Sequence, residues 1–307
     1  MAPHLSVAPG TLRSVIGRLA WVTTRAARGR DEDEPLVVPA LERSGVVVDV
    51  VDWDDPRVDW AGYDRAVLRS TWDYPERLAE FLPWLDRVAA ATDLVNPPAT
   101  VRWSLDKHYL RDLDAAGVPI TPTTFLLPGE PADLDGLDGG DFVVKPAVGA
   151  GSRDTATYGP EHHDVALAHV ARLHAADRAV LVQPFLASVA TDGEWPLVYL
   201  QGRFSHAASK RVAVPRAGAV EDLFAAETNA PHEATADQVA VGDAAMEVVV
   251  GLLGTPAYAR VDVVRDDDGG CCVLEVELVE PSLFLAQAEP AAVDRLVSAL
   301  VAAPAGA

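Results

Sequence analysis

The sequence predicts a chain of mixed α/β and α+β class, with a small open α/β unit first and a larger α+β body after it. Three observations lead there. Apolar strand-like runs alternate with helical periodicity as far as Asn96. The stretch Phe142-Val-Val-Lys-Pro-Ala-Val-Gly-Ala-Gly-Ser152 reads as a strand running into a glycine loop. Two further strands, Ala259–Val264 and Cys272–Leu278, flank the turn Asp266-Asp-Asp-Gly-Gly270 and carry acids among apolar residues.

Composition narrows the function classes. The 307 residues are 49% hydrophobic, enough for a large core and more than one unit. The net charge of −21 argues against nucleic acid or an anionic membrane as the main partner. The cysteines, Cys271 and Cys272, are adjacent, so no disulfide framework is expected and a reducing cytoplasm is. Residues 1–17 lack the charged and apolar regions of a signal peptide and are read as an extension. No apolar run approaches the roughly 20 residues that span a bilayer. A homodimer is the default expectation for assembly.

The α/β unit is assigned to 18–97. Arg18–Thr23, Val46–Val51 and Tyr63–Leu68 are its strands, the second so apolar that it reads as a buried parallel strand. Asp31-Glu-Asp-Glu34 ahead of Pro35 suits a helix start, with acids at the positive end of the dipole. Leu78, Phe81, Leu82, Leu85 and Val88 form a helical stripe. Arg69-Ser-Thr-Trp-Asp-Tyr74 follows the third strand, and ligands collect beyond the carboxyl ends of strands in such sheets. Arg69 could hold a carboxylate, and Ser70, Thr71 and Asp73 could fix the polar groups of an amino acid. The competing reading makes Asp73 a helix cap.

The second unit is assigned to 98–185. Ser104 reads as the N-cap of a helix through about Ala116, placing Lys107 in its first turn. Gly149 and Gly151 bring backbone N–H groups close enough to cradle an anion, and Lys145 on the preceding strand adds a point charge. Only three lysines occur among 25 lysines and arginines, at 107, 145 and 210. All three lie in motif-like settings where a compact ammonium differs from a planar guanidinium. Ala179–Gln183 is a strand leading to Pro184-Phe185, which offers a polar and an apolar contact suited to a purine.

The third unit is assigned to 186–307. Leu197–Leu200 and Phe204–Ala208 form a hairpin, with Glu194 before it and Lys210 after it. Val212–His232 has no period and is read as a long loop. Val239–Leu253 is a helix stopped by Gly254. In the acidic hairpin Arg260 and Asp262 share a face, as do Glu275 and Glu277. Carboxylates gathered on a largely buried face need a cation, and magnesium is the hard cation that takes oxygen ligands.

Assembled, these residues resemble the ATP-grasp superfamily in its glutathione-synthetase-like branch, from about Asn96 to Leu285, behind a Rossmann-like domain. The resemblance implies that Lys107, Lys145, Gly149, Gly151 and Ser152 hold the phosphates of ATP. It places adenine at Gln183, Pro184 and Phe185 and ribose at Glu194. It implies that Asp262, Glu275 and Glu277 bind Mg2+, or Mn2+, and that Arg260 and Lys210 offset charge on the transferred phosphate. Arg69-Ser-Thr-Trp-Asp-Tyr74, Gly193-Glu-Trp195, Phe204-Ser-His-Ala207 with Lys210, and Glu280-Pro-Ser-Leu-Phe-Leu285 are similar to cyclo-ligases that act on O-ureidoserine. That likeness implies an ATP-dependent carboxylate–amine ligase on a small amino-acid-like substrate gripped by Arg69, Ser70, Thr71, Asp73 and Tyr74. A phosphotransferase and a non-catalytic nucleotide-binding protein are the alternatives on the same fold. Two departures stand out: Glu277 replaces the usual asparagine, and Val212–Pro231 lacks the usual phenylalanine-arginine strand and double glycine.

Overall fold

The computed structural model describes residues 16–130, 132, 134, 139–217 and 226–302. The first sheet comprises β1 (Arg18–Thr23), β2 (Val47–Asp52), β3 (Arg65–Ser70) and β4 (Asp93–Val95), all parallel in the order β2-β1-β3-β4. Helices α1 (Glu34–Arg43) and α2 (Leu78–Ala91) make the crossovers. Pro35 sits in the first turn of α1, where its missing N–H costs nothing. The α2 stripe buries Phe81, Leu85 and Val88, joined by Trp84, against the sheet. β2 is less buried than its composition suggested. It lies at the sheet edge, and Val47 is 58% exposed. Apolar content marked a strand but not its place in the sheet.

After Asn96 come α3 (Pro98–Leu105) and α4 (Leu110–Ala115), separated by a 3-10 turn at Lys107–Tyr109. Ser104 therefore ends a helix rather than starting one. Its hydroxyl donates to the Val276 carbonyl and accepts from the Leu278 N–H, so it ties this segment to the acidic hairpin. Asp106 is the residue that caps the turn, accepting from His108 N–H.

The second sheet is antiparallel. It comprises β5 (Thr124–Leu126), β6 (Phe142–Pro146), β7 (Ala156–Tyr158) and β8 (Val180–Pro184), ordered β5-β8-β6-β7 and covered by α5 (His163–Ala175). The short α6 (Ala187–Thr191) leads to the third sheet. Its strands are β9 (Trp195–Leu200), β10 (Arg203–Val212), β11 (Glu227–His232), β12 (Tyr258–Arg265) and β13 (Cys271–Glu277), in the order β11-β10-β9-β12-β13. Helix α7 (Ala236–Leu253) opens with a Thr235–Gln238 capping box and packs on this sheet at Gly242. A Cβ there would run into the Tyr199 hydroxyl, so the helix owes its close approach to glycine. The loop expected over 212–232 is partly strand: Glu227–His232 pairs with β10 as an edge, while 218–225 lie outside the described residues.

The last helix, α8 (Ala291–Val301), packs its Ala292, Leu296 and Leu300 face in one core with α1, β1 and the third-sheet residues Val198, Leu200 and Tyr258. Arg65 of β3 donates to the carbonyls of Leu300 and Ala302, satisfying orphan groups at the end of α8. Within the segment 186–307, α8 thus joins the third sheet to the first. The whole of 1–17 is not a loose extension, because Ile16 is buried in the same core. No helix among the described residues is long and apolar enough to cross a membrane.

Candidate active site

The site begins with the register of the acidic hairpin. β12 pairs antiparallel with β13 so that Arg260 faces Glu277 and Asp262 faces Glu275, and a bulge follows Asp262. One oxygen from each of Asp262, Glu275 and Glu277 lies within 4.8 Å of the others. Like charges at this spacing repel, and the local cations answer them. Arg260 donates to Asp262 Oδ1 and Oδ2 at 2.7 and 2.9 Å and to Glu277. Lys210 Nζ lies 2.9 Å from Asp262 and 2.7 Å from Glu194. Lys107 Nζ lies 3.4 Å from Glu275 and 3.3 Å from the Gly149 carbonyl.

Each group's proton affinity reflects this wiring. Burial alone would push Glu275 up, but Lys107, Lys145, Lys210 and Arg260 hold it well below the usual carboxylate range. Glu277 is pushed up to about 8, because burial and the neighbouring Glu275 and Asp262 outweigh Arg260. Burial works against the charge on Lys210, yet Asp262 and Glu194 raise its pKa. Lys145 is shifted down, chiefly by burial, and its ammonium makes no ion pair or hydrogen bond among the described residues.

Two cavities meet at this cluster. The first is lined by Lys107, Lys145, the 149–153 loop, Gln183, Pro184, Phe185, Glu194, Lys210, Glu275 and Glu277. The structure thus brings together every residue predicted to hold nucleotide. Gln183 is fixed by donating to Thr123 at 2.9 Å. The loop is tethered, since Lys107 N–H donates to the Ala147 carbonyl at 2.9 Å. Gly193 sets the Glu194–Lys210 pair: its φ is +81°, and a Cβ would sit 2.5 Å from the Lys210 carbonyl oxygen. The two neighbouring backbones exchange hydrogen bonds at 2.7 and 2.8 Å through that gap.

The second cavity encloses about 400 Å³, within the usual range for small-molecule sites. It shares Lys107, Gly149, Ser152, Lys210, Glu275 and Glu277 with the first and adds Arg260. Its outer wall comes from residues to which the sequence reading gave no role: Arg30, Glu32, Asp33, Trp72, Asn229, Glu280, Ser282 and Phe284. Glu32 and Asp33 lay in the acidic run, Trp72 in the motif after the third strand, and Glu280, Ser282 and Phe284 in another quoted motif, so a signal existed for these six. Nothing in the sequence marked Asn229.

The predicted substrate loop is only partly at this cavity. Tyr74 lines it. Arg69 is 1% exposed and reaches neither cavity; it pairs with Asp33 at 3.0 Å and donates to the Pro281 carbonyl at 2.8 Å. Its guanidinium stands 5.4 Å from the rings of Trp21 and of Tyr258. Ser70 and Thr71 are fully buried, Ser70 donating to Thr23. Asp73 accepts from Thr24, Trp53 and Arg77 and caps no helix with its side chain. Contrary to expectation, none of these four lines either cavity. Asp262 also differs from expectation in its surroundings. It lines neither cavity, and both its oxygens already engage Arg260 and Lys210.

Asp33 carries the effect of these contacts to the site. It accepts from Leu283 N–H at 2.7 Å and Leu285 N–H at 3.1 Å, on either side of Phe284. Phe284 is held at φ +51°, and Arg260 lies 5.4 Å from the centre of its ring. Arg260 also donates to the Ser282 carbonyl at 3.2 Å. A strained backbone gripped on both sides thus fixes the arginine at the junction of the cavities.

Comparison with known proteins agrees with this geometry. The family described as D-cycloserine synthetase DcsG, N-terminal domain, matches residues 19–96. The cycloserine biosynthesis protein DcsG of Streptomyces lavendulae is 39% identical over 287 residues, covering 90% of this chain and 96% of that protein. The crystal structure of D-cycloserine synthetase DcsG superposes with a TM-score of 0.82 at 38% identity, over 93% of this chain and 99% of that one. D-alanine–D-alanine ligase from Bacillus anthracis, complexed with ATP, shares the fold with a TM-score of 0.64 at 17% identity, over 93% and 96% of the two chains. The chain belongs to the D-cycloserine synthetase family within the ATP-grasp fold and is an ATP-dependent ligase that forms a C–N bond.

Proposed function

We propose that this ligase activates the carboxylate of a small amino acid of the O-ureidoserine type and closes it on a nitrogen of the same molecule. A substrate carboxylate oxygen attacks the γ-phosphorus of ATP, ADP leaves, and an acylphosphate results. The nitrogen then attacks the acyl carbon and phosphate departs. The observation that carries this reading is the meeting of the two cavities at Lys107, Lys210, Glu275 and Glu277.

The residues divide the work. Lys107 and Lys145, with the N–H groups around Gly149, Gly151 and Ser152, hold the phosphates, and Gln183, Pro184, Phe185 and Glu194 hold the nucleoside. Arg260 and Lys210 are set by Asp262 to face the transferred group, an arrangement that stabilises charge without reorganisation. Tyr74 forms part of the substrate wall.

A divalent cation fits the acidic group. Four cations, Lys107, Lys145, Lys210 and Arg260, already stand beside four carboxylates, Glu194, Asp262, Glu275 and Glu277. A polyphosphate adds charge that this balance cannot absorb. Magnesium, or manganese, would be held by the cavity-facing Glu275 and Glu277 with Asp262 beside them, and would neutralise the phosphates. The unpaired, adjacent Cys271 and Cys272 suit a reducing cytoplasm.

The test is ADP release on addition of O-ureidoserine, with and without Mg2+. Release that depends on both supports the reading. Release on a two-substrate amino-acid pair, with none on O-ureidoserine, replaces it.

A further inference from the structure

We propose that the Glu280 carboxylate binds the ammonium group of the amino-acid substrate and so selects carboxylates that carry an amine. The inference rests on the reading above and deepens it by assigning the α-ammonium of the substrate.

Glu280 lines the second cavity yet is only 6% exposed. Among the described residues it forms no ion pair, whereas Asp262, Glu275, Glu277 and Glu194 at the junction each have a cation partner. Its position is fixed from both sides. The Glu280 carbonyl accepts from Trp72 Nε1 at 3.3 Å, and the next carbonyl, Pro281, accepts from Arg69 at 2.8 Å. Proline at 281 removes further backbone freedom.

A carboxylate buried without a counter-charge is costly, and proteins keep one where a ligand supplies the charge. Burial pushes Glu280 up to about 7, with Lys107, Arg260 and Arg69 acting only to moderate the rise. The three cations that act on it are committed elsewhere: Lys107 to Glu275, Arg260 to Asp262 and Glu277, and Arg69 to Asp33. Tyr74 stands close enough for Glu280 to help raise its hydroxyl pKa, after burial. An ammonium is compact enough to enter between this acid and the aromatic wall, and its attraction to Tyr74 and Trp72 faces adds to the charge pairing. A substrate so held presents the carboxylate on the same α-carbon toward Arg260 at the junction.

The test compares wild type with Glu280→Gln, and with Glu280→Asp as a charge-keeping control. The probes are O-ureidoserine and its desamino counterpart, 3-(ureidooxy)propanoate. Binding of each to the protein holding a non-hydrolysable ATP analogue is followed by calorimetry, together with KM and kcat for ADP release. Glu280→Gln should weaken O-ureidoserine by about 30-fold or more, a typical loss for a truncated charge pair. Nucleotide affinity and melting temperature should hold, and Glu280→Asp should recover part of the loss. The desamino acid should bind equally weakly to wild type and Glu280→Gln. Equal O-ureidoserine affinity in wild type and Glu280→Gln overturns the assignment, as does a wild type that binds the desamino acid as well as the amine. Binding that depends on Glu280 without any ADP release keeps the subsite and removes the ligase substrate instead.

Discussion

Lys145 and Arg69 show how the same type of charge serves opposite purposes. Lys145 is half-buried in the first cavity without an ion-pair partner among the described residues, and desolvation lowers its pKa. Folding therefore carries the cost of a charge with no ion-pair partner among the described residues. Lys145→Met should weaken binding of a fluorescent ATP analogue by at least tenfold and leave the melting temperature unchanged or higher. Arg69 is the reverse case, a cation locked between Asp33, the Pro281 carbonyl and two aromatic rings. Arg69→Met should cost about 3–5 kcal/mol in denaturant unfolding, because it strands Asp33. A stable Arg69→Met whose only defect is a raised substrate KM would return Arg69 to the substrate site. The sequence exposed Lys145 because its glycine loop is local. It misplaced Arg69 because the partners that bury it, Asp33 and Pro281, lie 36 and 212 positions away.

At the level of elements, local signals were legible and edges were not. The Gly149–Ser152 loop and the Arg260–Glu277 hairpin follow from glycine, turn and alternation patterns, each set within a few residues. The identity of β11 depends instead on pairing with β10, which no pattern in Glu227–His232 announces. Ser104 reads as a cap by residue type, but its hydroxyl is used by the backbone of β13 and the Leu278 that follows it.

The second sheet also carries a pH response. His169 of α5 is 6% exposed, bonded to the Tyr158 hydroxyl at 2.9 Å, and burial lowers its pKa from 6.5 to about 4. Below the unfolded value the denatured chain takes a proton that the folded one refuses. Stability should therefore fall as pH drops from 6.5 to 4, by roughly 2–3 kcal/mol, and level off below that. A His169→Gln protein should lose that part of the slope in urea melts at stepped pH. An unchanged slope would show that His169 is not the group responsible.

On the scale of the whole molecule, the first sheet supplies little of the chemistry directly. It works by holding the loop after β13. Asp33, anchored by Arg69, grips Leu283 and Leu285, and the loop between supplies Phe284 and Ser282 to Arg260. Helix α8 returns to the same sheet and closes the chain on itself. This long-range bracing explains why the division of the sequence into consecutive units found the sheets but not the origin of the cavity wall. Asp33→Asn should keep the nucleotide site while loosening Arg260. We expect ATP-analogue affinity within about threefold of wild type and kcat reduced by at least tenfold, since one hydrogen bond to a charged group is worth about 1.5–3 kcal/mol. Equal loss of nucleotide binding and kcat would mean that Asp33 supports the fold as a whole rather than the arginine.

In the proposed reaction, the junction of the two cavities transfers phosphate from ATP to a substrate carboxylate. Turnover of O-ureidoserine with 18O in both carboxylate oxygens, followed by mass analysis of the inorganic phosphate released, is the decisive measurement. One 18O is expected in each phosphate formed, in step with ADP. Phosphate free of label while ADP accumulates would contradict it.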